Sequence, residues 1–225
     1  MTFSIVARCS KTNMFGVAVT TSSICVGSRC PHVRAKVGAV TTQNITDPRL
    51  AELVLDEMEG GLNAEKAINR IIENRGNIDY RQLAAIDRFG NTAHFTGNKI
   101  LGKNAISQGL NCISAGNLLA STSVAEAITD GFHATPNEHL AERLIRGLEE
   151  GLSAGGEEGS VHSAALLVCH EMPFPLVDLR VDWKNKNPIQ KLRRLWHAYL
   201  PQMQDYLNRA VNPMAAPSYG VLGDP

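Results

Sequence analysis

Predicted hairpin strands alternate with pairs of predicted helices along this chain, and that order limits the folds open to it. Two apolar runs at residues 2–8 and 15–21 flank the turn residues 10–13, which predicts a hairpin of buried strands. Asp47 and Pro48 suit the N-cap and the first position of a helix. The further strands are predicted at 37–43, 81–87, 92–96, 105–115, 163–169 and 176–182, further helices begin near 63, 122, 136 and 187, and 22–35 is predicted to be a loop.

This order of elements favours an α+β fold over a doubly wound parallel fold. A doubly wound sheet alternates single strands with single helices, whereas here runs of hairpin strands stand between helix pairs. We therefore expect a four-layer αββα sandwich, in which two stacked antiparallel sheets are flanked by helices. The 225 residues suit a single domain, which we place at 1–211, followed by an irregular tail at 212–225.

Charge and apolar patterning exclude several classes of function. Lys and Arg together number 22, as do Asp and Glu, so the formal net charge is zero. A basic surplus, which nucleic-acid and anionic-membrane binders use, is therefore missing from the composition. No apolar stretch reaches transmembrane length, and residues 1–8 do not resemble a signal peptide. The five scattered cysteines favour unpaired thiols in a reducing compartment, so we predict a cytoplasmic protein.

Short motifs spread over nearly the whole chain resemble one protein family. The motifs are Ser4-Ile5-Val6-Ala7-Arg8, Val26-Gly27, Arg34-Ala35, Val37-Gly38-Ala39-Val40, Thr42-Gln43, Phe95-Thr96-Gly97, Gly116-Asn117, Ser163-Ala164-Ala165-Leu166-Leu167 and Leu179-Arg180-Val181-Asp182. Together they resemble the DUF1028 family, a domain of unknown function whose fold is grouped with the N-terminal-nucleophile (Ntn) hydrolases. The resemblance implies that fold, with Thr2 as the working N-terminus. The chain departs from the family pattern at Cys9, Ala115, Trp183 and Lys184.

Thr2, the residue after Met1, carries the predicted chemistry. Removal of the initiator methionine is sterically favoured when the next side chain is small, as it is here. An exposed α-amine ordinarily has a pKa of about 8, so it can serve as a base at neutral pH beside the threonine hydroxyl. This pairing predicts attack on an amide carbon, formation of an acyl-enzyme and its hydrolysis.

Further candidate residues lie at the ends of the predicted strands. An Asn117 amide with the backbone N–H of Gly116 would form a suitable pair of donors to an oxyanion. Arg34, which carries a family match, is predicted to keep the amine neutral and to bind a substrate carboxylate. The remaining candidate substrate-binding residues are Ser22, Thr42, Gln43 and His162. We also expect an ion pair between Arg8 and Asp182.

Three functional hypotheses follow from these residues. The first is an amidohydrolase that cleaves a small amide or peptide-like C–N bond without a metal or another cofactor. The alternative is a non-catalytic protein that binds a small molecule in a degenerate Ntn site, as the departures from the family pattern suggest. The third is a metal-dependent hydrolase built on Cys25, Cys30 and His32, although this spacing lacks a fourth ligand.

The last predicted helix suggests a self-association surface. Its apolar residues recur at helical spacing and form a stripe that exceeds what one core requires. We therefore expect a homodimer, with no nucleic-acid or membrane partner. The stripe comprises Trp196, Tyr199, Leu200, Met203 and Leu207.

Overall fold

Two antiparallel sheets form the centre of the molecule. The computed structural model describes residues 1–73 and 75–222. The six-stranded sheet has the order β10-β9-β2-β1-β8-β7 and the four-stranded sheet the order β3-β4-β5-β6. The strands are β1 (Thr2–Arg8), β2 (Phe15–Thr21), β3 (Pro31–Arg34), β4 (Gly38–Asn44), β5 (Arg81–Asp87), β6 (Thr92–Thr96), β7 (Ala105–Gly109), β8 (Cys112–Asn117), β9 (Ser163–Cys169) and β10 (Val177–Val181).

Helices cover the outer face of each sheet and complete the predicted αββα sandwich. The helices α1 and α2 pack on the four-stranded sheet, while α3, α4 and α5 pack on the six-stranded sheet. The α+β fold class is therefore confirmed. None of the helices in the described part of the chain is long and apolar enough to cross a membrane. The helices are α1 (Pro48–Glu59), α2 (Ala64–Ile72), α3 (Ser123–His133), α4 (Leu140–Ser153), α5 (Pro188–Tyr199) and α6 (Met203–Val211).

The strand β1 lies at the centre of the larger sheet and is buried on both faces. It pairs with β2 on one side and with β8 on the other. Because side chains alternate along a strand, Phe3 and Ile5 pack into the core beneath the helices, whereas Val6 packs between the two sheets. Thr2, at the start of the strand, has the same parity as Val6 and so faces the second sheet.

The structure corrects several predicted elements. Residues 22–35 are not one loop, because β3 forms at Pro31–Arg34 on the edge of the smaller sheet. The segment 105–115 is two strands, since a two-residue turn with Asn111 at φ 58° separates Gly109 from its partner Cys112. The last helix is interrupted by a 3-10 turn at Leu200–Gln202, where a proline lacks the N–H needed to continue an α-helix.

The predicted ion pair between Arg8 and Asp182 does not form. The Arg8 guanidinium donates to side-chain oxygens of Asn111 and Asn13 instead. The backbone oxygen of Asp182 accepts from the Cys25 N–H. Arg8 ends β1, and Asp182 directly follows β10 of the same sheet, but sequence motifs alone do not show which strand ends meet.

The apolar stripe of the last helix is used largely within the subunit. Trp196 is only 1% exposed and belongs to the main core. Tyr199, Met203 and Leu207 pack partly against that core, while Leu200 stays exposed. The homodimer therefore remains a prediction. The domain boundary after residue 211 also remains a prediction, and residues 223–225 of the predicted tail lie outside the described part of the chain.

Candidate active site

Thr2 lies where the central strand of the larger sheet begins, between the ends of its two neighbours. It pairs with Asn117 of β8, and the pairing of Phe3 with Thr20 places Thr21 of β2 on its other side. Thr2 is 5% exposed and Thr21 is 1% exposed. The side chains of Thr2, Thr21 and Asn117 have the parity of the strand residues that pack between the sheets. The three strand ends therefore present a compact polar group to the space between the sheets.

Two threonine hydroxyls converge on one carbonyl group at this place. Thr2 Oγ1 donates to the Met1 carbonyl oxygen at 2.5 Å and lies 3.3 Å from Thr21 Oγ1. The hydroxyl of Thr21 also donates to the Met1 carbonyl oxygen. Ser23 Oγ lies a further 3.3 Å from Thr21 Oγ1, so three hydroxyls form a continuous chain. The Met1 carbonyl thus shows how a C=O group can be held beside the Thr2 hydroxyl.

A buried carboxyl group, Glu157, closes the open end of β1. Its backbone pairs with Leu119 just beyond β8, and its Oε2 accepts from the Ser22 N–H at 3.2 Å just beyond β2. Since β1 lies between β2 and β8, Glu157 bridges these two strands just beyond Thr2, the first residue of β1. The other carboxyl oxygen, Oε1, is buried and has no hydrogen-bond partner among the described residues.

The environment of Glu157 favours its neutral form. Burial raises its pKa to about 8, although the Met1 ammonium and hydrogen bonds from Ser22 act in the opposite direction. The side chain is 5% exposed, in accordance with that burial. At neutral pH the site therefore holds a carboxylic acid with one unused oxygen beside the N-terminus.

Two glycines place Glu157 there. Gly155 and Gly156 follow α4 with φ of 116° and 60°, a left-handed conformation that residues with a Cβ rarely adopt. The chain reverses at this point, and the Gly156 carbonyl oxygen accepts a hydrogen bond from the Ala120 N–H. Glu157 is not among the predicted site residues, since nothing in the sequence separates it from the exposed Glu158.

Asn117 joins a buried network that links the two sheets. Its Nδ2 donates to Gln82 Oε1 at 3.2 Å, and Gln43 Nε2 donates to the same oxygen at 2.8 Å. Ser4 Oγ donates to Gln43 Oε1 at 2.8 Å, so the network returns to β1 two residues from Thr2. Asn117 Oδ1 is buried without a partner among the described residues. The network fixes Asn117 and leaves an unused acceptor near Thr2.

Gly116 does not take the predicted place beside an oxyanion. It pairs with Phe3 on one side and with Ala105 on the other, so it lies inside the sheet. A Cβ on Gly116 would lie 2.7 Å from Leu119, which shows that this glycine permits close packing. The donor nearest to a carbonyl group at the site is instead the hydroxyl of Thr21, which is not among the predicted site residues.

The other predicted substrate-binding residues divide between the site and other places. Ser22 contacts Glu157, and Gln43 belongs to the buried network. The His162 N–H donates to the Thr21 carbonyl oxygen at 2.8 Å, and the His162 ring stacks on Trp183 with centroids 4.6 Å apart. The Thr42 hydroxyl instead donates to the backbone of Asp47, where α1 begins. Thr42 therefore faces the helical layer and not the space between the sheets.

Arg34 is far from Thr2. It pairs with Gly38 at the opposite end of β4 from Gln43. Its guanidinium binds Glu52, Asp56 and Glu59 at 3.0, 2.8 and 2.7 Å. These acids lie four and three residues apart on one face of α1, a spacing that the sequence shows. The predicted role of Arg34 at the amine is therefore not supported by its position.

The predicted metal ligands do not come together. His32 Nδ1 lies 2.8 Å from Glu52 Oε1, and Cys30 Sγ contacts the Thr46 hydroxyl. Within residues 1–73 and 75–222, no three His, Cys, Asp or Glu side chains are grouped in a way that suits a metal ion. All five cysteines are unpaired.

Comparisons with known proteins show that the chain is similar to one family. The model of the family of unknown function DUF1028 matches residues 2–192. A solved structure from Silicibacter pomeroyi, assigned to that family, is 33% identical, with a TM-score of 0.82 and 88% of each chain covered. No protein of curated function matches significantly.

Two solved structures of Anbu proteins are more remote. The ancestral beta-subunit from Yersinia bercovieri is 11% identical, with a TM-score of 0.40, and the match covers 91% of this chain and 97% of that one. An Anbu mutant from Hyphomicrobium is 12% identical, with a TM-score of 0.45, covering 90% and 96%. Neither likeness is close enough to carry an inference.

Proposed function

The chain belongs to the family of unknown function DUF1028, and we propose that it is an Ntn-type hydrolase that cleaves an amide or peptide-like C–N bond. Met1 is removed, and Thr2 becomes the nucleophile. The observation that carries this proposal is the convergence of the Thr2 and Thr21 hydroxyls on one carbonyl oxygen. An acyl oxygen of a substrate would take the place of the Met1 carbonyl after processing.

The reaction uses groups at the end of β1. The free amine of Thr2 accepts the proton of its own hydroxyl while Oγ1 attacks the acyl carbon. The Thr21 hydroxyl donates a hydrogen bond to the acyl oxygen as that oxygen becomes negative, which stabilises the tetrahedral intermediate. The proton then passes from the amine to the leaving nitrogen, the C–N bond breaks, and an ester remains on Thr2. Water hydrolyses that ester by the same steps and restores the hydroxyl.

Glu157 is assigned the role of a positioning residue for the amine. A carboxylate beside the amine would stabilise the ammonium form, which is no base. A neutral carboxyl group can instead accept a hydrogen bond from the amine through its unused oxygen, which orients the amine and leaves the nitrogen lone pair available as the base. The buried position of Glu157 over the strand end, with one oxygen unused, supports this role.

Three measurements test the proposal. Intact mass of the purified protein is expected to show loss of Met1, and a β-lactone probe is expected to add once, at Thr2. Thr2→Ala should abolish both the adduct and turnover in a screen of small amides, whereas Thr2→Ser should retain them because it keeps the hydroxyl and the amine. Retention of Met1 in protein made with active aminopeptidase, or an unchanged rate in Thr2→Ala, would contradict the mechanism.

A binding protein without catalysis is the second candidate. Glu157 Oε1 and Asn117 Oδ1 are unused acceptors, and together they suit a ligand with N–H groups. If the protein only binds, a small amide ligand with free N–H groups will bind wild type and Thr2→Ala with the same affinity and will be recovered intact. Hydrolysis of that ligand by wild type alone would exclude this alternative.

A further inference from the structure

A small pocket lies at the opposite end of β1 from Thr2. The two ends of this seven-residue strand are roughly 20 Å apart at about 3.3 Å per residue. The pocket has a volume of about 170 Å³. The walls come from the end of β1, the turn between β7 and β8, the end of α3 and the first turn of α4. Its lining residues are Arg8, Cys9, Ser10, Lys11, Leu110, Asn111, His133, Pro136 and Arg143.

The lining of this pocket is strongly basic. It contains three basic side chains, Arg8, Lys11 and Arg143, and no acidic residue. In the described part of the chain, none of these three takes part in an ion pair, whereas arginines elsewhere, such as Arg34 and Arg193, bind carboxylates. The positive charge is thus concentrated in one recess without a counter-charge from a carboxylate.

Arg143 lines the pocket and is buried. It is 8% exposed, its Nε donates to the Phe132 carbonyl oxygen at 3.2 Å, and its guanidinium lies 3.9 Å from the centroid of the Phe132 ring. Burial lowers the pKa of Arg143, and the thiols of Cys9 and Cys112 act in the opposite direction. Burying an unpaired guanidinium is costly, and an anionic ligand offsets that cost.

The thiols of Cys9 and Cys112 differ in their ability to neutralise the charge of Arg143. Burial raises the pKa of Cys112 to about 12, so this thiol is neutral. Burial also acts to raise the pKa of Cys9, but hydrogen bonds from Thr12 and Lys11, together with the Arg143 charge, lower it below the ordinary value. The surroundings of Cys9 in the pocket wall therefore favour a negatively charged group.

The cations nearer the rim bind only neutral groups. Arg8 donates to Asn13 Oδ1 at 2.6 Å and to Asn111 Oδ1 at 3.4 Å, and its buried Nε has no partner among the described residues. Lys11 Nζ donates to Asn137 Oδ1 at 2.7 Å. Amide oxygens orient these side chains but leave their charges uncompensated.

From this arrangement we infer that the pocket binds the phosphate group of a small ligand. Three cations on one recess suit a group that carries nearly two negative charges and several acceptor oxygens, more than they suit a single carboxylate. The volume is well below the roughly 300 Å³ at which pockets for drug-sized ligands begin, so it admits a phosphate group and little more. The inference does not depend on chemistry at Thr2.

Calorimetry with the full chain tests this inference, using inorganic phosphate, methyl phosphate and acetate at equal ionic strength. Wild type is expected to bind both phosphates saturably and at least about tenfold more tightly than acetate. Methyl phosphate will bind more tightly than inorganic phosphate if the ligand is a phosphomonoester, and the two will bind equally if free phosphate is the ligand. Both of these results support the site.

Matched variants locate the binding. Lys11→Ala and Arg143→Met are each expected to weaken phosphate binding about tenfold or more, because each removes a charge-assisted contact. Lys66→Ala removes an exposed lysine from α2, on the other sheet, and should leave binding unchanged. If Arg143→Met does not fold, Lys11→Ala decides. The inference fails if wild type shows no saturable binding up to about 10 mM phosphate, if acetate binds equally well, or if Lys11→Ala binds like wild type.

Discussion

Thr2 Oγ1 lies 3.3 Å from Thr21 Oγ1, although 19 positions separate the two residues in the sequence. The hairpin of β1 and β2 brings the two hydroxyls together, because Thr2 begins the first strand and Thr21 ends the second. Both residues lie on strands and not on a loop. Their relative position is therefore set by strand pairing, which makes the geometry rigid.

We predict that Thr21→Val lowers the rate of acyl transfer to Thr2 by about 100-fold to 1000-fold, as loss of one oxyanion donor does elsewhere. Valine fills nearly the same volume, so the fold should persist. The rate of adduct formation with the β-lactone probe measures the effect. Thr20→Val is the matched control, since the Thr20 hydroxyl donates to the Ser163 carbonyl oxygen. Equal rates in Thr21→Val and Thr20→Val would remove Thr21 from the mechanism.

Glu157 should make the stability of the protein depend on pH. Its pKa in the folded state, about 8, lies above the ordinary value of 4.5, so the folded protein holds the proton more tightly than the unfolded chain. This contribution to stability is present in acid and is lost as the pH rises through about 8. We expect wild type to lose on the order of 3–5 kcal/mol of unfolding free energy relative to Glu157→Gln between about pH 5 and about pH 9.

Urea unfolding of both proteins across that pH range gives the difference directly. Glu158→Gln is the matched control, because the neighbouring Glu158 is exposed and its carboxylate lies 3.8 Å from the Lys103 ammonium at the surface. It should follow the wild-type curve. Parallel curves for wild type and Glu157→Gln would show that Glu157 titrates like an exposed carboxyl group.

Gln82→Leu should destabilise the fold strongly. Gln82 Oε1 accepts from both Gln43 and Asn117, so leucine leaves two buried donors without a partner. Each unsatisfied donor costs about 1–3 kcal/mol, and we expect a loss of about 2–5 kcal/mol in the free energy of unfolding. Gln108→Leu, at an exposed position, should cost less than about 1 kcal/mol. A loss in Gln82→Leu no larger than in Gln108→Leu would contradict the importance of the network.

Arg34→Met should change stability slightly and leave turnover unchanged. The guanidinium binds three largely exposed acids, so the loss is about 1 kcal/mol or less and shrinks at high salt. Urea unfolding at low and high ionic strength measures it, alongside the rate of adduct formation at Thr2. A selective fall in that rate, at unchanged stability, would restore Arg34 to the site.

The sequence predicted what local patterning controls. The limits of β1 and β2 and the start of α1 after Asp47 agree with the structure, because apolar alternation and helix capping act within a few residues. The position of Thr2 at the start of β1 follows from the same predicted hairpin. These features required no knowledge of long-range contacts.

The parts that were missed depend on contacts between distant segments. Thr21 and Glu157 become neighbours of Thr2 only when β2 and the loop after α4 meet the end of β1. Arg143 is buried through the packing of α3 on α4, which a helical pattern cannot distinguish from an exposed arginine. Arg34 was misplaced for a related reason, since a family motif does not show which helix covers a strand.

The position of β1 between two antiparallel partners has a consequence for tolerated changes in chain length. Insertion of one residue within β1 would reverse the alternation beyond it, so either Thr2 or Arg8 would turn to the opposite face. One change would then displace either the proposed nucleophile or a cation of the basic pocket. We therefore expect homologous chains to vary in length in the turns that flank β1 and not within its seven residues.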